Sequence, residues 1–329
     1  MERSGLRTRD TNTDVMRLIA SFFVVMIHVS ATGGAVGSAW NSISRFSVPV
    51  FVMISGYYLL EKNLGISAIL KKFASLFAVM VAWSAVYDCH GLMVHTQEFS
   101  LLGCVKYLLT EPVHLWYFYA LMALYLFTPL LNLVYHHASK EVYRYILGLT
   151  FLSGSCLTML LRVDSLSFLA VIVEKMKFPY ALGFLFLYLL GGYIRKYTIT
   201  RKKAVYCIGL AASLLSAVAA AVFAGHAFVN DVLFSFFYPG NVLAAFAFFL
   251  FFNSLSLPKS GKPARLIQTC ATATMGIYAL HPLLMNLLAA WDLFAGSDLL
   301  IPLQTLLIYT ISLGCSLILR SVPFLKRLV

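Results

Sequence analysis

The chain has 329 residues, of which 60% are hydrophobic and only 12% charged, and its mean hydropathy is +0.84. Soluble domains carry roughly 25% charged residues, so this chain cannot coat a water-soluble globule of its size, which excludes an ordinary cytosolic enzyme, a disordered chain and a disulfide-stapled module. A membrane β-barrel gives a much weaker hydropathy signal, and in a helical membrane protein the net charge of +12 is read loop by loop rather than as an affinity for nucleic acid.

A spanning helix needs about 20 mostly apolar residues. In chain order, ten runs meet that description: 15–32, 46–60, 73–94, 113–135, 145–161, 179–194, 204–225, 232–253, 271–291 and 299–319. Breaks such as Tyr238-Pro239-Gly240-Asn241 and Pro258 to Pro263 punctuate the gaps. The expectation is an all-α, polytopic membrane protein with about ten transmembrane helices, a single domain over residues 1–329. With a cytoplasmic N-terminus, the inner segments collect most of the Lys and Arg, leaving Arg45, Lys106, Arg162, Lys175 and Lys177 outside. That bias places both termini in the cytoplasm. A cleaved signal peptide ending near Ser30 to Ala35 is set aside, because its loss would invert every later loop. Cys89 and Cys104 fall toward the outer side and are able to pair in an oxidising compartment; no Cys-x-x-Cys pair suggests zinc or redox chemistry.

Ionisable groups in hydrocarbon cost on the order of 2.5–3.5 kcal/mol each, so each asks for a reason. The first span carries Asp14, Arg17 and His28. His28 lies eleven helical positions after Arg17, which puts them within about 20° of one line and about 16 Å apart. Asp14 lies within about 60° of the same line, and about 21 Å from His28. Singly, His28 reads as well as an interhelical histidine, and Arg17 as an arginine snorkelling to the interface. Together they suggest a channel with an anion-binding mouth and a base at its far end, because guanidinium matches phosphate and neutral imidazole accepts protons.

Three further segments stand out. Ser44-Arg45-Phe46-Ser47-Val48-Pro49 leads to Ser55-Gly56-Tyr57, where Pro49 disrupts the early helix ladder and Ser55-Gly56 suits close helix packing or a local opening of the backbone. His114-Leu115-Trp116-Tyr117 reads equally as an interfacial aromatic belt. Tyr278-Ala279-Leu280-His281-Pro282 puts a second histidine mid-span beside a proline. Asp88, His90, His95 and Glu98 straddle a loop and match a metal set only loosely, and His136-His137 reads as a solvated loop. No metal is expected.

These four segments, in this order, resemble the acyltransferase-3 family of integral-membrane acyltransferases that modify bacterial surface sugars. Asp14, Arg17 and His28 match its Arg-x10-His pattern, Val48 to Tyr57 its second-helix motif, Leu115-Trp116 its Leu-Trp motif, and Tyr278, His281 and Pro282 its late motif. Leu18 replaces a frequent Gly, and Phe51-Val52 a frequent Phe-Phe. The stretch from Ser44 to Pro49 is most similar to the enterobacterial-common-antigen O-acetyltransferases. The same module precedes a racemase domain in membrane-bound serine racemases, which gives a second reading as a solute (serine-like) transport module; the chain ends soon after its tenth span, so no racemase domain is expected.

The resemblance implies an O-acyltransferase of the bacterial inner (plasma) membrane, with acetyl-CoA or another acyl-CoA as donor. The acceptor would be a surface glycan or lipid-linked saccharide; membrane lipid is the surrounding partner. On this reading Arg17, oriented by Asp14 and helped by the basic stretch from Arg195 to Lys203, holds the donor. His28 is the base, Ser55, Tyr278 and His281 are donors to the developing oxyanion, and Arg45 and Trp116 contact substrate.

Overall fold

A computed structural model of the chain describes residues 10–31, 33–62, 64–94, 100, 103–104, 114–157, 159, 182–197, 199, 203–289 and 297–329. Among them the regular structure is entirely helical. The principal helices are α1 (Thr11–Val29), α2 (Ala35–Ser44), α3 (Ser47–Leu59), α4 (Ile66–Met93), α5 (Trp116–His137) and α6 (Lys140–Phe151). There follow α7 (Leu182–Lys196), α8 (Lys203–Val222), α9 (Pro239–Ser254), α10 (Gly261–Thr272), α11 (Thr274–Ala289) and α12 (Ile301–Ser321). Five described stretches are long and apolar enough to cross a membrane, namely α1, α4, α5, α8 and Asp298–Ser321. The expected spans 46–60, 145–161 and 179–194 correspond to the shorter α3, α6 with its π-helical extension Leu152–Leu157, and α7. The span expected at 271–291 is divided from α10 by a turn at Ala273.

Local chemistry sets several boundaries. Asp10 caps α1, its carboxylate accepting from the Asn12 amide at 3.1 Å and the Thr13 hydroxyl at 2.9 Å. α2 falls between two of the expected spans; its N-terminus is capped from far along the chain, where the Asp298 carboxylate accepts from the amides of Gly34 (2.6 Å) and Gly37 (3.3 Å). A carboxylate there meets both the free amides and the positive end of the helix dipole. Pro49, expected to disrupt a ladder, falls in the first turn of α3, where a missing N–H breaks no helical bond.

Helices in lipid gain little from hydrophobicity between themselves and rely on close packing and polar contacts. The closest crossing is α3 against α7. A methyl on Gly56 would overlap the Tyr188 backbone carbonyl, and one on Gly191 would overlap that of Met53. The two glycines face each other's helices and let the backbones touch, which answers the Ser55-Gly56 motif as packing. Around them α3, α7 and α9 bury Val50, Met53, Tyr188 and Phe249. A second core joins Met80, Phe118, Met122 and Ala279 from α4, α5 and α11, and a third joins Val25, Ile277 and Ile308 from α1, α11 and α12. Leu210, Leu214, Leu215, Val218 and Val222 of α8 remain exposed, a face suited to lipid. Cys89 and Cys104 are both free thiols, so they do not pair here.

Gly56→Ala should therefore lower thermal stability by about 1–3 kcal/mol or prevent folding, as overpacking does. Gly314→Ala, where a methyl meets nothing within 4 Å, should leave it unchanged. Thermal unfolding of both variants in detergent checks the contrast.

Candidate functional site

A cavity of about 550 Å³ runs between α1, α3, α5 and α11. Its wall includes Arg17, Ser21, Val24 and His28, all from one stripe of α1, as their helical spacing requires. Arg45, Ser55, Trp116 and Tyr278 line it as well, as do His114, Tyr117 and Tyr125.

At one end, the Arg17 Nη1 donates to Asp14 Oδ1 at 3.1 Å. Asp14 is fully buried and one turn away, so it orients the guanidinium and not the distant imidazole. The Tyr58 ring lies 5.7 Å from the guanidinium carbon, and its hydroxyl is held by Asp10 and Thr13. Of the basic stretch expected to help Arg17, Arg195 is engaged with Glu61 at 2.7 Å and the Tyr57 hydroxyl at 3.1 Å. Lys196 donates to the Tyr135 carbonyl, while Arg201 and Lys202 lie outside the described residues.

At the other end three histidines meet. The rings of His28 and His281 are 4.9 Å apart, and those of His114 and His281 are 6.1 Å apart. His281 is wholly buried, with Nδ1 3.0 Å from the Ile277 carbonyl oxygen. A carbonyl only accepts, so Nδ1 carries the hydrogen and Nε2 keeps a lone pair. Among the described residues that Nε2 has no hydrogen-bond partner, and neither has Nε2 of His114. The sequence marked His114 only as part of an aromatic segment. Its proximity to His28 is tertiary and left no trace in spacing.

The position of His281 depends on a repaired break in α11. Pro282 lacks the N–H that would bond the Tyr278 carbonyl, which opens the ladder at this turn. The Tyr87 hydroxyl, from α4, then accepts from the Leu283 amide at 3.2 Å and donates to the Ala279 carbonyl at 2.8 Å. It stands in for the helical bond between those two residues.

The three side chains expected to donate to an oxyanion have a different hydrogen-bond pattern. Ser55 Oγ donates to the Phe51 carbonyl at 3.0 Å, Tyr278 to the His114 carbonyl, and His281 Nδ1 to Ile277. Each hydrogen is aimed at a backbone carbonyl: Ser55 and His281 find the preceding turn of their own helix, whereas Tyr278 reaches the carbonyl of His114, in the segment before α5. Arg45 and Trp116, both expected to contact substrate, are joined by Phe236. Arg45 lies 4.8 Å from the Phe234 centroid and 5.2 Å from that of Phe236, on which Trp116 stacks at 5.4 Å.

Of the loosely metal-like set, Asp88 and His90 are on α4, whereas His95 and Glu98 lie outside the described residues. The described residues contain no group of three or more His, Cys, Asp or Glu suited to a metal. His136 and His137 form the exposed end of α5 rather than a loop.

The family model of the acyltransferase-3 type, described as an acyltransferase domain, matches residues 10–321. The chain belongs to this family of membrane acyltransferases. No curated protein and no solved structure matches it.

Tyr87→Phe removes the hydroxyl that bridges the break in α11, leaving a buried amide and carbonyl unsatisfied. A loss of about 1–3 kcal/mol is expected, measured by thermal unfolding. Any acyl transfer measured in parallel should fall too, since His281 sits one residue before the break.

Proposed function

We propose that this protein is an O-acyltransferase, specifically an O-acetyltransferase, taking its acyl group from acetyl-CoA or another acyl-CoA. The acceptor is a hydroxyl of a cell-surface glycan or its lipid-linked precursor. The chain works in the bacterial inner (plasma) membrane as one domain with ten crossings and both termini cytoplasmic, which the positive-inside pattern supports. The similarity of Ser44 to Pro49 favours the enterobacterial-common-antigen type.

One observation carries the reading: Arg17 and His28 line a single cavity from opposite ends. Donor phosphates enter from the basic cytoplasmic side and meet the Arg17 guanidinium, held in place by Asp14. The pantetheine arm is comparable in length to the roughly 16 Å that separates those side chains along the helix. Its thioester then reaches the histidines. His28 takes the proton of the acceptor hydroxyl as that oxygen attacks the thioester carbonyl carbon. The carbon–sulfur bond breaks, and the departing thiolate recovers the proton from His28. His281, with Nδ1–H fixed on Ile277, packs its ring 4.9 Å from that of His28 and so helps hold the base's ring in place.

The test is transfer from labelled acetyl-CoA to a panel of glycans by purified protein in lipid nanodiscs. His28→Ala should abolish product, a loss of at least about 10²–10⁴-fold, while the variant remains folded. Arg17→Ala should chiefly raise the KM for acetyl-CoA. Undiminished transfer by His28→Ala overturns the assignment of the base. Serine movement across the bilayer without acyl-CoA consumption would instead favour the transport reading.

A further inference from the structure

The family's reaction places negative charge on the thioester carbonyl oxygen as the acceptor adds. In this site Ser55, Tyr278 and His281 have their hydrogens directed at backbone carbonyls. Arg45 differs. Its Nε donates to Asn41 Oδ1 at 2.8 Å, and among the described residues no carboxylate pairs with it and its terminal nitrogens make no hydrogen bond. It lines the cavity together with His28.

Its placement is rigid. Asn41 is buried on α2, and while its oxygen accepts from Arg45 its amide donates to the Ile27 carbonyl at 2.8 Å. Ile27 immediately precedes His28, so one side chain ties the guanidinium to the backbone beside the imidazole. The rings of Phe234 and Phe236, from the segment between α8 and α9, hold the guanidinium. A planar cation fixed by one hydrogen bond and two aromatic contacts, with terminal donors still open, is organised before any charge develops. Such preorganisation is what makes oxyanion stabilisation effective in a dry site.

We propose that Arg45 is a catalytic residue whose terminal N–H groups stabilise the oxyanion, and that Asn41 is the residue that positions it. This rests on the acyl-transfer reading above. The acceptor oxygen bonds to the carbonyl carbon, its proton passes to His28, and the carbonyl oxygen carries the negative charge toward Arg45. The charge returns as the carbon–sulfur bond breaks, and the thiolate takes the proton back. Hydrolysis of acetyl-CoA by water passes through the same charged state, so Arg45 serves it equally.

The experiment measures kcat and KM for acetyl-CoA, in both transfer and slow hydrolysis, with protein in lipid nanodiscs. Acceptors with and without a carboxylate are compared. Arg45→Gln should lower kcat about 10²–10³-fold in both reactions, with KM for acetyl-CoA and for either acceptor changed little. Arg45→Lys, which keeps the charge but loses the fork, should recover part of that loss and decides the matter if Arg45→Gln does not fold. Asn41→Ala should lower kcat less, and should add nothing to Arg45→Gln because it acts through that residue. A loss confined to KM for carboxylate-bearing acceptors would overturn the proposal and make Arg45 an acceptor-binding group. Unchanged kcat in Arg45→Gln would overturn it outright. If the wild-type protein neither transfers nor hydrolyses acetyl-CoA, the acyl-transfer reading itself has failed.

Discussion

Helix α1 cannot hide its ionisable residues: Arg17 and His28 share one stripe, and a bilayer offers no water to either. The bundle resolves this by leaving the stripe open onto a cavity while α12 and α11 bury the other side of the helix. The cation receives a carboxylate from its own first turn, and the imidazole receives the company of two other rings. Every other feature of the site follows from keeping that stripe open and its groups partnered.

Keeping it open requires neighbours that pack tightly elsewhere. The glycine contacts between α3 and α7 draw those helices together, and the polar link from Thr128 to the Tyr188 hydroxyl at 2.8 Å ties α5 to the same pair. On the other flank, Tyr87 allows α11 to tolerate Pro282 and so to carry a histidine in a broken turn. The Asp298 cap works at longer range. It secures the short helix α2, and α2 brings Asn41 and Arg45 to the end of α1. A carboxylate just before the last long helix thereby helps place a guanidinium beside the histidines.

How much of this was legible in the sequence depended on whether the signal was local. The α1 stripe was legible because helical geometry alone fixes residues eleven apart on one face. Gly56 was legible as packing because small residues in membrane helices have few other uses. Asn41, Phe236, His114 and Tyr87 were not singled out as site residues, since their importance comes from contacts with segments far away in the chain. Another reason holds for the oxyanion donors: Ser55, Tyr278 and His281 have suitable chemistry, but residue type does not say that Ser55 and His281 turn their hydrogens onto carbonyls four residues back and Tyr278 onto that of His114. α2 escaped notice because ten residues of mixed polarity give no membrane-helix signal, and its cap comes from Asp298. The turn at Ala273 was hidden by apolar residues on both sides.

The most direct test of the shared cavity probes its middle. In a background with the six native cysteines changed to serine, Val24→Cys lies on the open stripe between Arg17 and His28, whereas Val25→Cys faces a buried core. A small thiol reagent should modify Val24→Cys, and acetyl-CoA, but not acetate, should slow that reaction; Val25→Cys should stay unreactive. An inert Val24→Cys, or one whose labelling is indifferent to acetyl-CoA, would contradict a common path from the guanidinium to the imidazole.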